Sequence, residues 1–165
     1  MAEVHVVFGP LGSGKTTYAR QLADRQGAIR FSIDELMHSL YGPDIREPLS
    51  LPWVAERVGR CEGMIWAVVR QILAREGRVV LDLGLLKADD RRRLSELAER
   101  EGARVKLHFV TASREVREQR VLARNAVRGE TFAFEVNQNM FDFMDAQFEE
   151  PTDAEIADGI RFSSE

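Results

Sequence analysis

The sequence predicts an α/β fold, in which helices cover both faces of a parallel sheet. Short runs of β-branched and apolar residues alternate along the chain with segments of helical periodicity. The first run, residues 3–8, is apolar at nearly every position, as expected of a strand buried on both faces. The chain has 165 residues, of which 44% are hydrophobic and 30% charged, and these values fit one soluble domain spanning residues 1–165.

Glycines and prolines mark the ends of the predicted elements. Gly9 ends the first strand, and Gly27 stops the helix of residues 15–26, which repeats small or apolar side chains at helical spacing. Prolines between residues 42 and 52 indicate a loop. The helix of residues 53–76 repeats apolar residues every three or four positions, which is typical of a stripe packed on a core.

The same alternation continues to the end of the chain. The predicted strands are residues 3–8, 28–32, 78–83 and 104–110. The predicted helices are residues 15–26, 34–41, 53–76, 89–100, 113–125 and 137–148. Residues 129–136 are predicted to be irregular, and residues 160–162 are a candidate fifth strand at one edge of the sheet.

Composition excludes several classes of protein. The single cysteine, Cys61, cannot form an internal disulfide, so we expect a reducing, cytoplasmic location and no metal site built on cysteine. Because we find neither a basic leader nor a run of about 18 apolar residues, we expect no export and no membrane partner. The net charge of −4, with Lys15, Lys87 and Lys106 as the only lysines, argues against a nucleic-acid partner.

A phosphate-binding loop lies between the first strand and the first helix. Residues 9–16, GPLGSGKT, match the pattern G-x-x-x-x-G-K-[ST]. The glycines allow backbone N–H groups to surround a phosphate, and the dipole of the following helix adds positive potential. Lys15 supplies a charge for the β- and γ-phosphates. The alternative is a purely structural glycine turn. The predicted nucleotide-binding residues are Gly9, Leu11, Gly12, Ser13, Gly14, Lys15, Thr16 and Thr17.

Thr16 and Asp82 are the predicted magnesium site. The Thr16 hydroxyl can ligate Mg²⁺ beside the phosphates. Asp82 ends an apolar strand, so its carboxylate faces the crevice at the carboxyl ends of the strands. The alternative is that Asp82 braces the turn at Gly84.

Asp34 is the candidate general base. It follows the second strand and should therefore project into the same crevice, opposite the γ-phosphate. A carboxylate at that point can accept the proton of an attacking hydroxyl. The alternative is that Asp34 only caps the helix that follows, with Glu35 in its first turn.

An arginine-rich segment carries five arginines and two glutamates over residues 111–128. Arg120, Arg124 and Arg128 are spaced by four and share one helix face. Arginines beside a nucleotide can stabilise the charge that spreads over a transferred phosphoryl group. We therefore predict Arg120 and Arg124 as nucleotide-facing residues, with Arg124 also catalytic, and leave Arg128 open between that role and a solvated helix face.

Together these residues resemble the P-loop kinases of the zeta-toxin, chloramphenicol phosphotransferase and polynucleotide kinase type, grouped with the AAA_33 ATP-binding proteins. The more discriminating parts of the resemblance are residues 32–36, SIDEL, and residues 120–125, RVLARN. The resemblance implies the three-layer P-loop NTPase fold, with strand order 2-3-1-4, a possible fifth edge strand and an arginine-rich lid at about residues 124–136. It further implies that Asp34 is the general base, with Arg120 near the adenine and Arg124 near the phosphates.

The activity implied is transfer of the γ-phosphoryl group of ATP, with Mg²⁺, to a hydroxyl of a small molecule. Leu83 and Leu85 stand where many relatives have polar residues that contact ligand, so the acceptor is not indicated at that position. Two alternatives stay open, a polynucleotide 5′-hydroxyl kinase and an ATPase or sensor without an acceptor. The oligomeric state, monomer or homodimer, is also open. The candidate acceptor residues are His38, Tyr41, Arg46, Trp53 and Arg57.

Overall fold

A computed structural model of the chain describes residues 1–127 and 135–165. Its sheet has five strands in the order β2-β3-β1-β4-β5, and every neighbouring pair is parallel. The strands are β1 (Glu3–Phe8), β2 (Ile29–Ser32), β3 (Arg78–Asp82), β4 (Arg104–Thr111) and β5 (Ile160–Ser163). The predicted order is therefore confirmed, and the candidate edge strand at residues 160–162 is a true strand.

Helices connect the strands and cover both faces of the sheet. They are α1 (Lys15–Gln26), α2 (Ile33–Tyr41), α3 (Leu51–Leu73), α4 (Ala88–Arg100), α5 (Arg114–Val127) and α6 (Gln138–Gln147), with a 3₁₀ turn at Gly42–Asp44. Among the described residues, no helix combines the length and apolar character needed to span a bilayer. Residues 128–134, which include Arg128 and most of both the predicted lid and the expected irregular segment, lie outside the described residues.

The core is built on β1, which pairs with β3 on one side and β4 on the other. Val4, Val6 and Phe8 are fully buried on one face, where they contribute to a cluster with apolar residues of α3 and α4. Val7 points to the opposite face and packs with α1. Full burial of a valine side chain stabilises a fold by about 1.5–3 kcal/mol. The central strand is therefore held from both sides, and its carboxyl end is a fixed platform for the loop that follows.

The structure shifts the predicted bounds of most elements by one to three residues, and the third helix and the third strand show the cause. The third helix begins at Leu51 instead of residue 53, because the Ser50 hydroxyl caps it by accepting a hydrogen bond from the Trp53 N–H. It ends at Leu73 instead of residue 76, where Glu76 adopts a left-handed φ of 55°. The third strand ends at Asp82 because the ladder with β2 ends at the pair Ser32↔Asp82.

Candidate active site

The phosphate-binding loop requires glycine at two points of close approach. A Cβ at Gly9 would lie 1.9 Å from the Val110 carbonyl oxygen, at the end of β4. A Cβ at Gly12, where φ is 78°, would lie 2.6 Å from the Arg117 carbonyl oxygen, on α5. The loop is therefore packed tightly between the sheet and α5. These contacts explain why the chain uses glycine at these two motif positions.

A cavity of about 760 Å³ opens in front of the loop. Its volume is within the range typical of small-ligand sites. Its wall is formed by the loop, the start of α1, the exposed side of α5, the first turn of α2 and the C-terminal end of the chain. The predicted residues that line it are Leu11, Gly12, Gly14, Lys15, Thr16, Thr17, Asp34, Arg120 and Arg124. Gly9 and Ser13 lie behind this wall, where Gly9 packs against β4 and Ser13 is fully buried.

The interior of the loop is arranged around Lys15 and Ser13. The Lys15 ammonium donates a hydrogen bond of 2.9 Å to the Pro10 carbonyl across the loop. Burial lowers the pKa of Lys15, while the carboxylates of Asp82 and Asp34 oppose that shift. The Ser13 Oγ is buried and has no hydrogen-bond partner among the described residues. A buried hydroxyl and a desolvated cation beside a helix N-terminus are features of a site that accepts an anion such as a phosphate chain.

Thr16 and Asp82 lie together. The Thr16 Oγ1 donates a hydrogen bond of 3.1 Å to Asp82 Oδ2. Burial raises the pKa of Asp82, and the opposing effects are the charge of Lys15 and the hydrogen bond from Thr16. Mg²⁺ in nucleotide sites is held by one or two protein oxygens together with phosphates and water. This hydroxyl and carboxylate fit that donor set.

Asp34 is exposed in the first turn of α2 and lines the cavity. Its carboxylate interacts electrostatically with Lys15 and Arg124 and raises the pKa of both groups against the lowering effect of burial. The alternative that Asp34 caps the helix is wrong. Ser32 is the cap, because its Oγ accepts a hydrogen bond of 3.3 Å from the Glu35 N–H.

Glu35, which the sequence placed only in the first helical turn, holds three elements together. Its carboxylate accepts hydrogen bonds from Arg30 on β2, at 2.7 and 2.6 Å, and from Arg20 on α1, at 2.9 Å. Arg30 Nη1 also lies 4.0 Å from Asp82 Oδ2. These ion pairs lower the pKa of Glu35 against the effect of burial. The helix that carries Asp34 is thus anchored beside the phosphate-binding loop.

The arginines of α5 have different surroundings. Arg120 donates to the Gly12 carbonyl at 3.4 Å and to Ser164 near the C-terminus. Arg124 is half-buried at the cavity wall. Arg117 is buried behind the loop, where it donates to the Leu11 carbonyl at 3.2 Å and pairs with Asp145 of α6 at 2.6 Å. Sequence analysis singled out Arg120, Arg124 and Arg128 by their spacing, and that spacing gave no signal for the separate role of Arg117.

The end of the chain also contributes to the cavity. Residues 162–165, in and after β5, line its wall beside α1 and α5. Phe162 packs against Tyr18, with ring centroids 5.0 Å apart. Sequence analysis predicted only a candidate edge strand here. The position of β4 is a signal that could have revealed this. The carboxyl end of β4 meets the phosphate-binding loop, so a parallel edge strand paired with β4 ends close to the same loop.

Three of the five candidate acceptor residues contact one another. The Arg57 guanidinium lies 3.9 Å from the centroid of the Trp53 ring and 5.6 Å from that of Tyr41. The two rings meet edge to face at 6.1 Å. His38 and Arg46 are exposed. Among the described residues, none of these five side chains lines the 760 Å³ cavity.

Solved structures share this fold. One similar structure is Kti12 from Chaetomium thermophilum in complex with ADP-AlF3, at 20% identity over 98% of this chain and 89% of that chain, with a TM-score of 0.74. Others are the APS kinase CysC from Mycobacterium tuberculosis in complex with AMPPNP and APS, at 18% identity over 99% and 89%, TM-score 0.59; and a gluconokinase from Sinorhizobium meliloti 1021, at 18% identity over 97% and 81%, TM-score 0.56. At these identities the likeness establishes the fold alone, that of the P-loop kinases.

Among curated protein sequences, none matches this chain. The family pattern called AAA_33, an AAA domain, matches residues 4–151 and so includes the phosphate-binding loop, Asp34, Asp82 and both cavity arginines. With the loop geometry and the five-stranded parallel sheet, this match makes the chain a member of the AAA_33 family, with the fold of a small P-loop kinase.

Proposed function

We propose that this protein is an ATP-dependent kinase that transfers the γ-phosphoryl group to a hydroxyl of a small molecule. The observation that carries the proposal is the position of Asp34, an exposed carboxylate that lines the same cavity as Lys15 and Arg124. A nucleotide-binding site needs no such carboxylate opposite the phosphates, whereas a kinase needs a group that receives the acceptor proton. The two similar structures that carry kinase names support this reading at the level of the fold.

In the proposed reaction the acceptor oxygen forms a bond to the γ-phosphorus, and the bond to the β,γ-bridging oxygen breaks, so that ADP leaves. Asp34 accepts the proton of the acceptor hydroxyl. Lys15 and Arg124 neutralise charge on the phosphoryl oxygens, and Arg120, one turn earlier on α5, binds the nucleotide. Mg²⁺, when bound at Thr16 and Asp82, supplies further charge neutralisation on the phosphates.

The acceptor is proposed to lie along α2 and the start of α3. Asp34, His38 and Tyr41 are separated by four and three residues, so they share one side of α2. At the end of this side, the Tyr41 ring contacts the Trp53 ring, and Arg57 lies over the Trp53 ring. This side spans about 10 Å, because each helical residue adds about 1.5 Å. An acceptor with a hydroxyl at one end and a planar or anionic group at the other would match it.

Transfer of label tests the proposal. The protein is incubated with γ-labelled ATP and Mg²⁺ against pools of nucleosides, sugars, aminoglycoside and phenicol antibiotics, and a 5′-hydroxyl oligonucleotide. Label in a small-molecule pool supports the proposal and identifies the acceptor class. Label in the oligonucleotide would instead identify a polynucleotide kinase.

A second candidate is ATP hydrolysis without an acceptor. Asp34 is exposed, so water can reach the position proposed for the acceptor hydroxyl, and Kti12, a protein of the same fold, has been captured with ADP-AlF3. Label found only in free phosphate, at a rate that no acceptor pool changes, would favour this candidate over the kinase.

A further inference from the structure

The edge strand β5 is held mainly by its backbone. All four of its residues are exposed, although Phe162 keeps its ring contact with Tyr18. Its register with β4 runs from His108↔Ile160 to Thr111↔Ser163, and the pairing continues as the Ser164 N–H donates to the Thr111 carbonyl at 2.9 Å. The parallel ladder therefore delivers Ser164 to the carboxyl end of the sheet, beside the phosphate-binding loop.

The Ser164 hydroxyl joins two parts of the nucleotide cavity. Its Oγ donates a hydrogen bond of 2.7 Å to the Ser13 carbonyl, inside the phosphate-binding loop. The same Oγ accepts a hydrogen bond of 2.7 Å from Arg120 Nη1, on α5. A hydroxyl can donate one bond and accept others at once, so these two contacts are compatible. The side chain of Ser164 thus bridges the phosphate-binding loop and α5, which is called the arginine helix below.

The backbone of Ser164 adds a second contact to the same guanidinium. Arg120 Nη2 donates to the Ser164 carbonyl at 2.5 Å, while Nη1 also lies 3.4 Å from the Gly12 carbonyl. These contacts fix the plane of the guanidinium against the cavity wall. A guanidinium has five N–H donors, and the contacts to Ser164 and Gly12 engage three of them. The remaining donors can serve a bound anion.

We infer that Ser164 is a positioning residue for nucleotide binding, which holds Arg120 in its ligand-binding orientation against the phosphate-binding loop. This inference rests on the proposed binding of ATP in the cavity. An unrestrained arginine must lose side-chain rotamer freedom when a ligand binds, whereas an arginine that is already fixed does not. The hydroxyl of Ser164 therefore strengthens ATP binding through Arg120 without contacting the reacting atoms.

The test is a double-mutant cycle on ATP affinity, measured by titration of a fluorescent ATP analogue and by competition with ATP. We expect Ser164→Ala to raise the Kd about 10- to 150-fold, the range for loss of a hydrogen bond to a charged group. In an Arg120→Ala background the same change should raise the Kd less than twofold. In the transfer assay, Ser164→Ala should raise KM for ATP and leave kcat within about twofold. The matched control is Ser95→Ala, which removes a hydroxyl bonded to the Arg91 carbonyl on α4.

Other outcomes separate the positioning role of Ser164 from the proposed kinase activity. An unchanged Kd in Ser164→Ala, or an equal effect in the presence and absence of Arg120, overturns the positioning role and leaves the kinase proposal intact. If the wild-type protein binds ATP without any transfer of label, the kinase proposal is overturned. The double-mutant cycle on ATP affinity then still tests the positioning role. No binding of ATP by the wild-type protein overturns both.

Discussion

The proposed nucleotide side and the proposed acceptor side of this protein, called below the nucleotide side and the acceptor side, are built differently. On the nucleotide side, Ser13 and Asp82 are 0% and 5% exposed, and hydrogen bonds tie the loop to β3, to α5 and to Ser164, which directly follows β5. On the acceptor side, residues 51–60 of α3 are each exposed or half-buried, and Leu51 is 61% exposed. Of these two sides, the nucleotide side therefore carries the buried polar contacts.

This difference shows which part of the proposed reaction is set before a ligand arrives. A phosphate chain has one charge pattern, so a rigid cradle binds it without reorganisation. The acceptor side has few fixed contacts beyond the cluster of Tyr41, Trp53 and Arg57. Asp34 stands between the two, because Glu35 anchors its helix to the nucleotide side while its carboxylate is exposed.

The largest expected effect comes from the residue between the two sides. Asp34→Asn removes the proposed base and keeps the side-chain shape, so phosphoryl transfer should fall by about 10²- to 10⁴-fold. The Kd for ATP should stay within a fewfold. Rates from labelled ATP and affinities from titration check this prediction. Asp89→Asn is the control, since Asp89 is also an exposed acid in the first turn of a helix. Unchanged transfer in Asp34→Asn would refute the base assignment.

A chain of buried hydrogen bonds through two histidines should make the stability of the protein depend on pH. Tyr18, which lines the cavity, bonds to His108 at 2.8 Å, and His108 bonds to His5 at 3.0 Å. Burial lowers the pKa of His108 from 6.5 to about 4, and burial also lowers the pKa of His5. The unfolded chain therefore binds more protons than the folded protein between those values.

The free energy of unfolding is expected to be highest above pH 6.5 and to decrease as the pH falls toward 4. Protonation of His108 accounts for a loss of up to about 3 kcal/mol. Denaturant unfolding at several pH values measures this loss. His108→Gln should flatten the profile relative to the wild type. His38→Gln, on the exposed acceptor side, should keep the wild-type slope. Equal slopes for all three proteins would contradict the prediction.

A smaller effect is expected at the proposed magnesium site, Thr16 and Asp82. Asp82→Asn keeps an oxygen for the Thr16 hydroxyl and removes the charge, so the Mg²⁺ concentration for half-maximal transfer should rise about tenfold or more. Affinity for ATP without metal should rise or stay constant, because a negative charge near the phosphates is lost. A metal titration of transfer rates measures the change. If the metal requirement does not move, Asp82 braces the fold without serving the metal.

The smallest effect is expected on the acceptor side. Trp53→Ala should raise KM for the acceptor about tenfold through loss of ring contact, and it should leave the Kd for ATP unchanged. Met64→Ala, which truncates an exposed side chain on the same helix, is the matched control. Both constants come from the transfer assay once an acceptor pool is found. An equal change in both variants would place the acceptor elsewhere.

Local patterns carried much of the prediction. The first strand and the first helix were predicted with the bounds that the structure shows, because β-branched runs, glycine stops and apolar spacing act within a few residues. The strand order was predicted from the family resemblance and not from a local pattern. The alternative that Asp34 caps α2 was wrong. Ser32 and Asp34 are two residues apart and both types suit a cap, and only the backbone at the end of β2 selects Ser32.

The sequence by itself determined the phosphate-binding loop, the carboxylates at the strand ends and the arginine helix, because each is a local pattern with one spacing. Only the tertiary structure decided which arginine serves which purpose. Arg117 and Arg120 are three residues apart, yet one braces Leu11 and Asp145 and the other meets Ser164, 44 residues later. Contacts across such separations depend on how strands align in the sheet, and that alignment is a property of the packed chain and not of any short segment.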